Sequence, residues 1–405
     1  MTNEVVNVPE LRFTGFEDEW KKKKLDDVAN YRRGSFPQPY GNKEWYDEKN
    51  GEPFVQVVDV DKNMKLHDQT KQKISDLAKP KSVKGFKGDI VVTLQGSIGR
   101  VALLHYDAYI DRTLLLIYSF KIEMNKNYFK YVLYLLFLKE KERAPGGTIK
   151  TITKKVLSNF KIDIPNVGEQ EKIGEFFSKL DRQIELEEQK LAKLEEQKKG
   201  YMQKLFSQEL RFKDDSGCDY PNWKYNYLGN YMISHDEKTT ENNQYPVLTS
   251  SREGLFLQKD YFTRDVASKD NTGYNVVPYS YFTYRHMSDD LVFKFNINYI
   301  VQKGIVSTLY PVFKTTSDLD NYFLKEILNN GNEFKKYALM QKQGGSRTYM
   351  YFSKLKQLKL HIPVLKEQEK ISVFLKKLDS LIEKQSSKVE LLKQRKLGFL
   401  QKMFV

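Results

Sequence analysis

At 405 residues the chain has room for two to four domains and an ample core. A formal net charge of +14 and a pI near 9.3 favour a polyanionic partner, nucleic acid before membrane. A single cysteine, Cys218, excludes an internal disulfide and a cysteine-ligated zinc site, in keeping with a reducing cytoplasm.

Met1 to Glu19 is polar and mixed in charge and is not read as a signal peptide, so a cytoplasmic location is expected. It carries Glu10-Leu-Arg-Phe13 and leads into Trp20. Residues 20–165 form a first globular region, in which Phe54 to Val60, Asp89 to Leu94 and Thr113 to Phe120 read as strands between Gly, Pro and Asn turns. A helix is expected from Asn127 to Arg143, stopped by Pro145-Gly-Gly147. Its apolar core, Tyr128 to Leu138, is too short to span a bilayer. A long helix then occupies residues 166–206, and a connector, 207–222, repeats the opening words as Glu209-Leu-Arg-Phe212 before Trp223. Residues 223–363 repeat the plan, with strands near Tyr245 to Ser250, Val276 to Tyr284 and Ile300 to Val306 and a short helix from Leu319 to Asn329. Gly345 to Met350 matches Gly147 to Ile152, and a second long helix, 364–405, ends the chain.

The strongest internal signal is the second copy of Ile164–Phe206 at Ile362–Phe404, where 20 of 43 residues are identical. A tandem duplication explains that agreement. The first copy places apolar residues at Ile173, Phe177, Leu180, Ile184, Leu191, Leu194, Tyr201 and Leu205, and the second at Ile371, Leu375, Leu378, Ile382, Val389, Leu392, Phe399 and Met403. Steps of four and three make this a coiled-coil seam. Even the interruptions recur, as Glu187 and Lys198 in one copy and Gln385 and Lys396 in the other. Two readings of them stay open, solvation at frayed ends and control of register. Gly168 to Phe206 as helix spans roughly 58 Å at 1.5 Å per residue, the length of a spacer rather than of a core element. Residues 1–19 correspond to the segment leaving the first helix and are expected to pack near the end of the second, closing a pseudo-twofold ring.

Neither a phosphate-cradling Gly-x-x-x-x-Gly-Lys-Ser/Thr nor an Asp/Asn-Pro-Pro-Tyr/Phe for amino-methyl transfer occurs. Gln95-Gly-Ser-Ile-Gly99-Arg100 reads as a tight turn, and His67, His105, His235, His286 and His361 lack metal-ligand spacing. Asp236-Glu237-Lys238 resembles a nuclease triplet, one that arises by accident in so charged a chain. What remains is binding chemistry: cations for phosphates, and forked or amide donors for base edges. In the first region the candidates are Arg32, Arg33, Ser35, Lys81, Lys84, Gln95, Ser97, Arg100, Lys150 and Lys154. In the second they are Ser250, Ser251, Arg252, Arg285, His286, Gln302, Lys303, Arg347 and Tyr349.

Taken together, the chain resembles the specificity subunit of Type I restriction-modification systems. The resemblance rests on Trp20 with Leu25 and Trp223 with Leu228, Gly88-Asp-Ile90 before Gly96-Ser-Ile-Gly99, Leu248 to Gly254, the Gly-Gly loops, and the paired Ile-Pro and Glu-Gln-Glu-Lys-Ile helices. It implies an α+β fold with two tandem globular target recognition domains, joined by two long antiparallel coiled-coil helices in a pseudo-twofold arrangement. It further implies that each domain reads half of a split double-stranded DNA sequence, and that the helices hold the halves at a set spacing and dock two modification subunits. S-adenosylmethionine with adenine N6 methylation, and ATP and Mg with restriction and translocation, would belong to those partner subunits. This chain would then carry no catalysis and no cofactor, and would engage no membrane. Two rival readings are a non-catalytic coiled-coil scaffold with two paralogous binding modules, and a nuclease using the Asp236 region.

Overall fold

In a computed structural model, residues 7–143, 154–262, 269–342 and 347–405 are described. The chain is α+β and divides into two compact units, Met1–Gln189 with Ser387–Val405, and Lys190–Ser386. The division falls inside both long helices, Val167–Phe206 and Leu365–Lys402, because each helix end is packed into the module beside it. Among the described residues no helix is long and apolar enough to cross a membrane.

The first unit is built on a four-stranded antiparallel sheet in the order Ala29–Arg33, Leu114–Phe120, Ile90–Thr93, Val101–Leu103. Its central strands are runs of Leu, Ile and Val buried on both faces, as strands between two layers must be. A second sheet, ordered Gln72–Ile74, Glu52–Val55, Ala108–Ile110, Val83–Gly85, contains one parallel pair. The expected strand Phe54 to Val60 ends early, at Val55. Buried Asp59 accepts the N–H groups of Gln56 (2.7 Å) and Lys71 (2.7 Å), which turns the chain through a 3-10 segment at Val57–Asp59. The helix Lys126–Arg143 packs Tyr128, Tyr131 and Phe137 into the main core together with Ile173 and Phe177 of the first long helix and Leu400 and Met403 of the second.

The second unit repeats the main sheet as Met232–Ser234, Val312–Thr315, Phe282–Tyr284, Phe295–Ile297, the same strand order with the first three strands shorter. The expected strand Val276 to Tyr284 is two strands in different sheets, Asn275–Pro278 and Phe282–Tyr284. Pro278 closes the first, and Ser280, with a φ of 67°, turns the chain toward the second. The expected short helix is Asn321–Asn330, capped by Asp320, whose carboxylate accepts the Phe323 N–H at 2.8 Å. A further helix, Asn332–Met340, follows directly after Gly331 and was not anticipated.

One clamp is built twice from the repeated words. Arg12 donates to Glu169 through Nε (2.7 Å) and Nη2 (2.8 Å), and Trp20 Nε1 adds a third bond at 3.2 Å. Arg211 donates to Glu367 at 3.0 and 2.7 Å, with Trp223 Nε1 at 3.1 Å. Both carboxylates are fully buried in the first turn of a long helix, where the helix dipole also favours negative charge. The next residue locks the same corner: Gln170 donates to the Pro165 carbonyl and accepts from the Asn125 N–H, while Gln368 donates to the Pro363 carbonyl and accepts from the Asp320 N–H. Each Trp precedes a two-stranded ribbon, Lys21–Lys24 with Lys161–Ile164 and Lys224–Tyr227 with Lys359–Ile362. In the first unit the Leu11 N–H donates to the Lys402 carbonyl at 2.8 Å, so the N-terminal segment lies against the end of the second long helix.

Within each unit the two long helices pair antiparallel. Ile173, Phe177, Ile184, Val389 and Leu392 are buried in the first unit, where Leu180 is half-buried. In the second, Ile371 and Leu375 are buried and Leu191, Leu194, Leu378 and Ile382 half-buried. The two seam lysines find partners. Lys396 pairs with Asp181 at 2.6 Å, and Asp181 also accepts from Tyr131 at 2.7 Å. Lys198 pairs with Asp379 at 2.6 Å, and Asp379 accepts from Tyr322. Lys130, 3.6 Å from Asp181, has its pKa lowered by burial, an effect the aspartate only partly offsets. Glu187 pairs with Lys388, whereas Gln385, its counterpart in the repeat, is buried.

Arg12→Ala strands a buried carboxylate and is expected to cost about 3–5 kcal/mol. Urea unfolding should show a lower midpoint for Arg12→Ala and for Arg211→Ala, and unchanged midpoints would remove the clamp from any structural role.

Candidate nucleic-acid interface

Three separate stretches of the first module meet at one end of its main sheet. The segment Arg33-Gly-Ser35 leaves the edge strand, Arg112-Thr113 enters the neighbouring strand, and Leu94 to Arg100 links the remaining two. Backbone bonds join them: Gly34 N–H to the Leu114 carbonyl (3.0 Å), Ser35 N–H to the Ile110 carbonyl (3.0 Å), and Leu94 N–H to the Thr113 carbonyl (2.8 Å). A Cβ on Gly34 would stand 2.2 Å from the Ile110 carbonyl oxygen, so the approach requires glycine. Arg32 and Arg33 lie exposed on the edge strand, and Gln95 and Ser97 flank Gly96, whose φ is 66°. Ser35 Oγ donates to the Lys81 carbonyl at 3.1 Å, drawing in the second sheet.

The cations of this module differ in how far they are already engaged. Lys84 and Lys79 both pair with Glu52, at 3.1 and 2.8 Å, and these bonds hold the Glu52 carboxyl below its usual range. Lys81 sits 4.7 Å over the Trp45 ring. Arg100 donates to the Val60 carbonyl at 2.9 Å, tying the glycine turn to the bend at Val57–Asp59. Lys150 lies outside the described residues, as does the side chain of Lys154.

The second module places Arg285 and His286 at the corresponding end of its sheet, directly after Phe282–Tyr284. The short pairing of Met287–Ser288 with Thr348–Tyr349 brings Arg347 and Tyr349 alongside. His286 stacks on Tyr351 (5.2 Å between centroids), Tyr351 stacks on Tyr349 (5.8 Å), and both tyrosines are exposed. Arg347 pairs with Asp289 at 2.9 Å and Arg252 with Asp290 at 2.7 Å. Arg252 stands in a turn that Asn296 fixes by donating to Ser250 Oγ (2.8 Å) and the Ser251 carbonyl (3.0 Å). Arg285 is exposed and has no side-chain partner among the described residues. Gln302 and Lys303 stand apart, on or beside the ribbon Asn275–Pro278 with Lys303–Val306, where Lys303 pairs with Glu237 at 2.7 Å.

The family model for the Type I restriction modification DNA specificity domain matches this chain twice, over residues 17–196 and 225–391. The chain belongs to this family. Both modules match the DNA specificity domain. The chain is similar to the Type I restriction enzyme MjaVIII specificity subunit of Methanocaldococcus jannaschii, 26% identical over 304 residues that cover 67% of this chain and 68% of the relative. It also resembles the S subunit of the Type-I restriction-modification system of M. genitalium, with a TM-score of 0.58, 16% identity, and 98% of this chain and 99% of that one covered. A chain of a type I R-M system studied for its complex assembly and conformational transition gives a TM-score of 0.57 at 14% identity, covering 96% of this chain and 98% of that one. At these identities the structural likeness concerns fold.

Beside the candidate residues stand others that the sequence did not single out: Arg112, Tyr40 and Val58 in the first module, and Tyr351, Asp289 and Asp290 in the second. Only the turn residues next to Arg112 could have flagged it. Among the described residues no group of three or more His, Cys, Asp or Glu is placed to hold a metal ion. Glu237 of the nuclease-like triplet is engaged by Lys303 and lies 3.3 Å from His235.

The hydrogen bond from Arg252, seconded by Ser288, holds the Asp290 carboxyl down to about 2. A depressed carboxyl contributes its stabilisation above the ordinary range and loses it as pH falls through the shifted value. The Arg252 turn should therefore stay paired down to about pH 2. An NMR titration with Asp290→Asn as the assignment control should find the midpoint there, and a midpoint near that of a free aspartate would exclude the pair in solution.

Proposed function

We propose that each module reads one half of a split duplex DNA target, and that this chain supplies recognition without catalysis. Support comes from one observation above the others: the equivalent end of two sheets with the same strand order carries different cations, amides and aromatics. Duplicated scaffolds with unlike tips suit two different half-sites, whereas a scaffold binding one repeated partner would keep its tips alike. Cations there would meet phosphates for affinity and forked or amide donors would meet base edges for sequence.

In this reading the chain assembles with other subunits of the restriction-modification system, two of them modification subunits bringing S-adenosylmethionine and adenine N6 chemistry. Restriction subunits would bring ATP, Mg and cleavage. The long helices would set the gap between half-sites and dock the modification subunits.

Methylome sequencing of a host with and without this chain tests the proposal. One split adenine-methylated motif is expected to appear with the chain and vanish without it, and exchanging residues 20–165 for another module should rewrite one half-site only. A single unbroken motif, or changes in both halves, would defeat the two-module reading. Duplex binding with the modification partner present should weaken steeply with salt, each phosphate contact adding roughly −0.9 to the log–log slope, and a flat response would favour the protein scaffold.

A further inference from the structure

We propose that Arg112 is the guanine-reading residue of the first module, an inference that rests on the DNA reading above. Arg112 is exposed at the sheet end where Arg33 to Ser35 and Gln95 to Ser97 converge, in the loop between Ala108–Ile110 and Leu114–Phe120. Two of the cations nearby are already engaged, Lys84 by Glu52 and Arg100 by the Val60 carbonyl. Arg112 has no ion-pair partner among the described residues.

The guanidinium is nevertheless held. It lies 4.8 Å over the ring of Tyr40, and Tyr40 is fixed in turn by donating its hydroxyl to Asp111 at 2.5 Å. Asp111 is buried and accepts the Thr113 N–H at 2.8 Å, so ring, carboxylate and the loop that bears Arg112 form one rigid unit. Burial raises the Tyr40 pKa first and the bond to Asp111 raises it further, with Arg112 pulling only partly the other way, so the phenol keeps its proton.

A stacked guanidinium loses little freedom on binding and presents its fork in a set plane. Guanine offers two acceptors, O6 and N7, in the major groove at the spacing of that fork, whereas a phosphate, which a fork can also clasp, is met by a lysine as a point charge, so exchange for lysine separates the two. The surroundings fit a base edge. Arg112 lines a cleft of about 350 Å³ with Val57, Val58, Lys71 and Gln72. Val58 is 51% exposed, an apolar group suited to contact with a neighbouring base, and Lys71 supplies a cation for the adjoining phosphate.

The test uses the full chain with its modification partner, comparing Arg112→Lys and Arg112→Ala with the unaltered protein by methylation of a randomised duplex library. Both variants are expected to relax one G·C position in one half-site by about ten- to hundredfold, leaving the other half-site unchanged. Arg112→Lys keeps the charge and removes only the fork, so it carries the decision. Overturning results would be unaltered letters in both variants, or a uniform loss of binding across sequences in Arg112→Ala with a salt slope lower by about 1 and recovery in Arg112→Lys, the signature of a phosphate contact. If the unaltered chain directs no split motif, the functional reading itself falls and takes this assignment with it.

Discussion

Two buried carboxylates, Glu169 and Glu367, hold the rest of the architecture in place. Each stands in the first turn of a long helix and gathers an arginine from a preceding segment and the indole N–H of the tryptophan that opens its module. Desolvating a carboxylate costs several kcal/mol, which only excellent geometry recovers. Two guanidinium bonds of 2.7 and 2.8 Å plus an indole bond at 3.2 Å provide that geometry around Glu169. The segment that runs from the arginine to the tryptophan is thereby fixed to the start of a helix distant from it in sequence, and the direction in which the helix leaves its module follows.

The seam works by the same logic with less burial. An apolar stripe alone would let antiparallel helices slide by a heptad at small cost, since one leucine resembles the next. Lys396 with Asp181, and Lys198 with Asp379, remove that freedom, because a slip would leave a half-buried charge without its partner. Tyr131 and Tyr322 extend the link from the helix pair to the module packed on it. Of the two readings the interruptions allow, register control has these contacts behind it for the lysines. Glu187 and Gln385 are less alike in their surroundings than in their positions.

The candidate recognition surface depends on topology more than on any motif. Antiparallel order brings the exit of one strand, the entry of the next and the link between two others to a single sheet end, so residues 33–35, 94–100 and 112–113 become neighbours. In the second module the same order yields a different tip, a stack of His286, Tyr351 and Tyr349 flanked by ion-paired arginines. Two of the candidate lysines, Lys84 and Lys303, are each paired with a glutamate of their own module.

Periodicity and repetition in the sequence determined the duplicated plan, the two long helices, their seam and the strands with unbroken apolar runs, because each is a local pattern of side chains that 3.6- or 2-residue geometry must place on one face. Strand breaks at Val55 and Pro278 escaped that reasoning, since a buried aspartate and a positive-φ serine act through contacts and backbone geometry that hydrophobic patterns do not record. Tertiary structure alone decided that Glu169 and Glu367 serve as hubs, that the seam lysines meet aspartates on the opposite helix, and that Arg112 lies over the Tyr40 ring. Those outcomes turn on which distant groups arrive within hydrogen-bonding or stacking reach, a property of the folded path and not of any stretch of it.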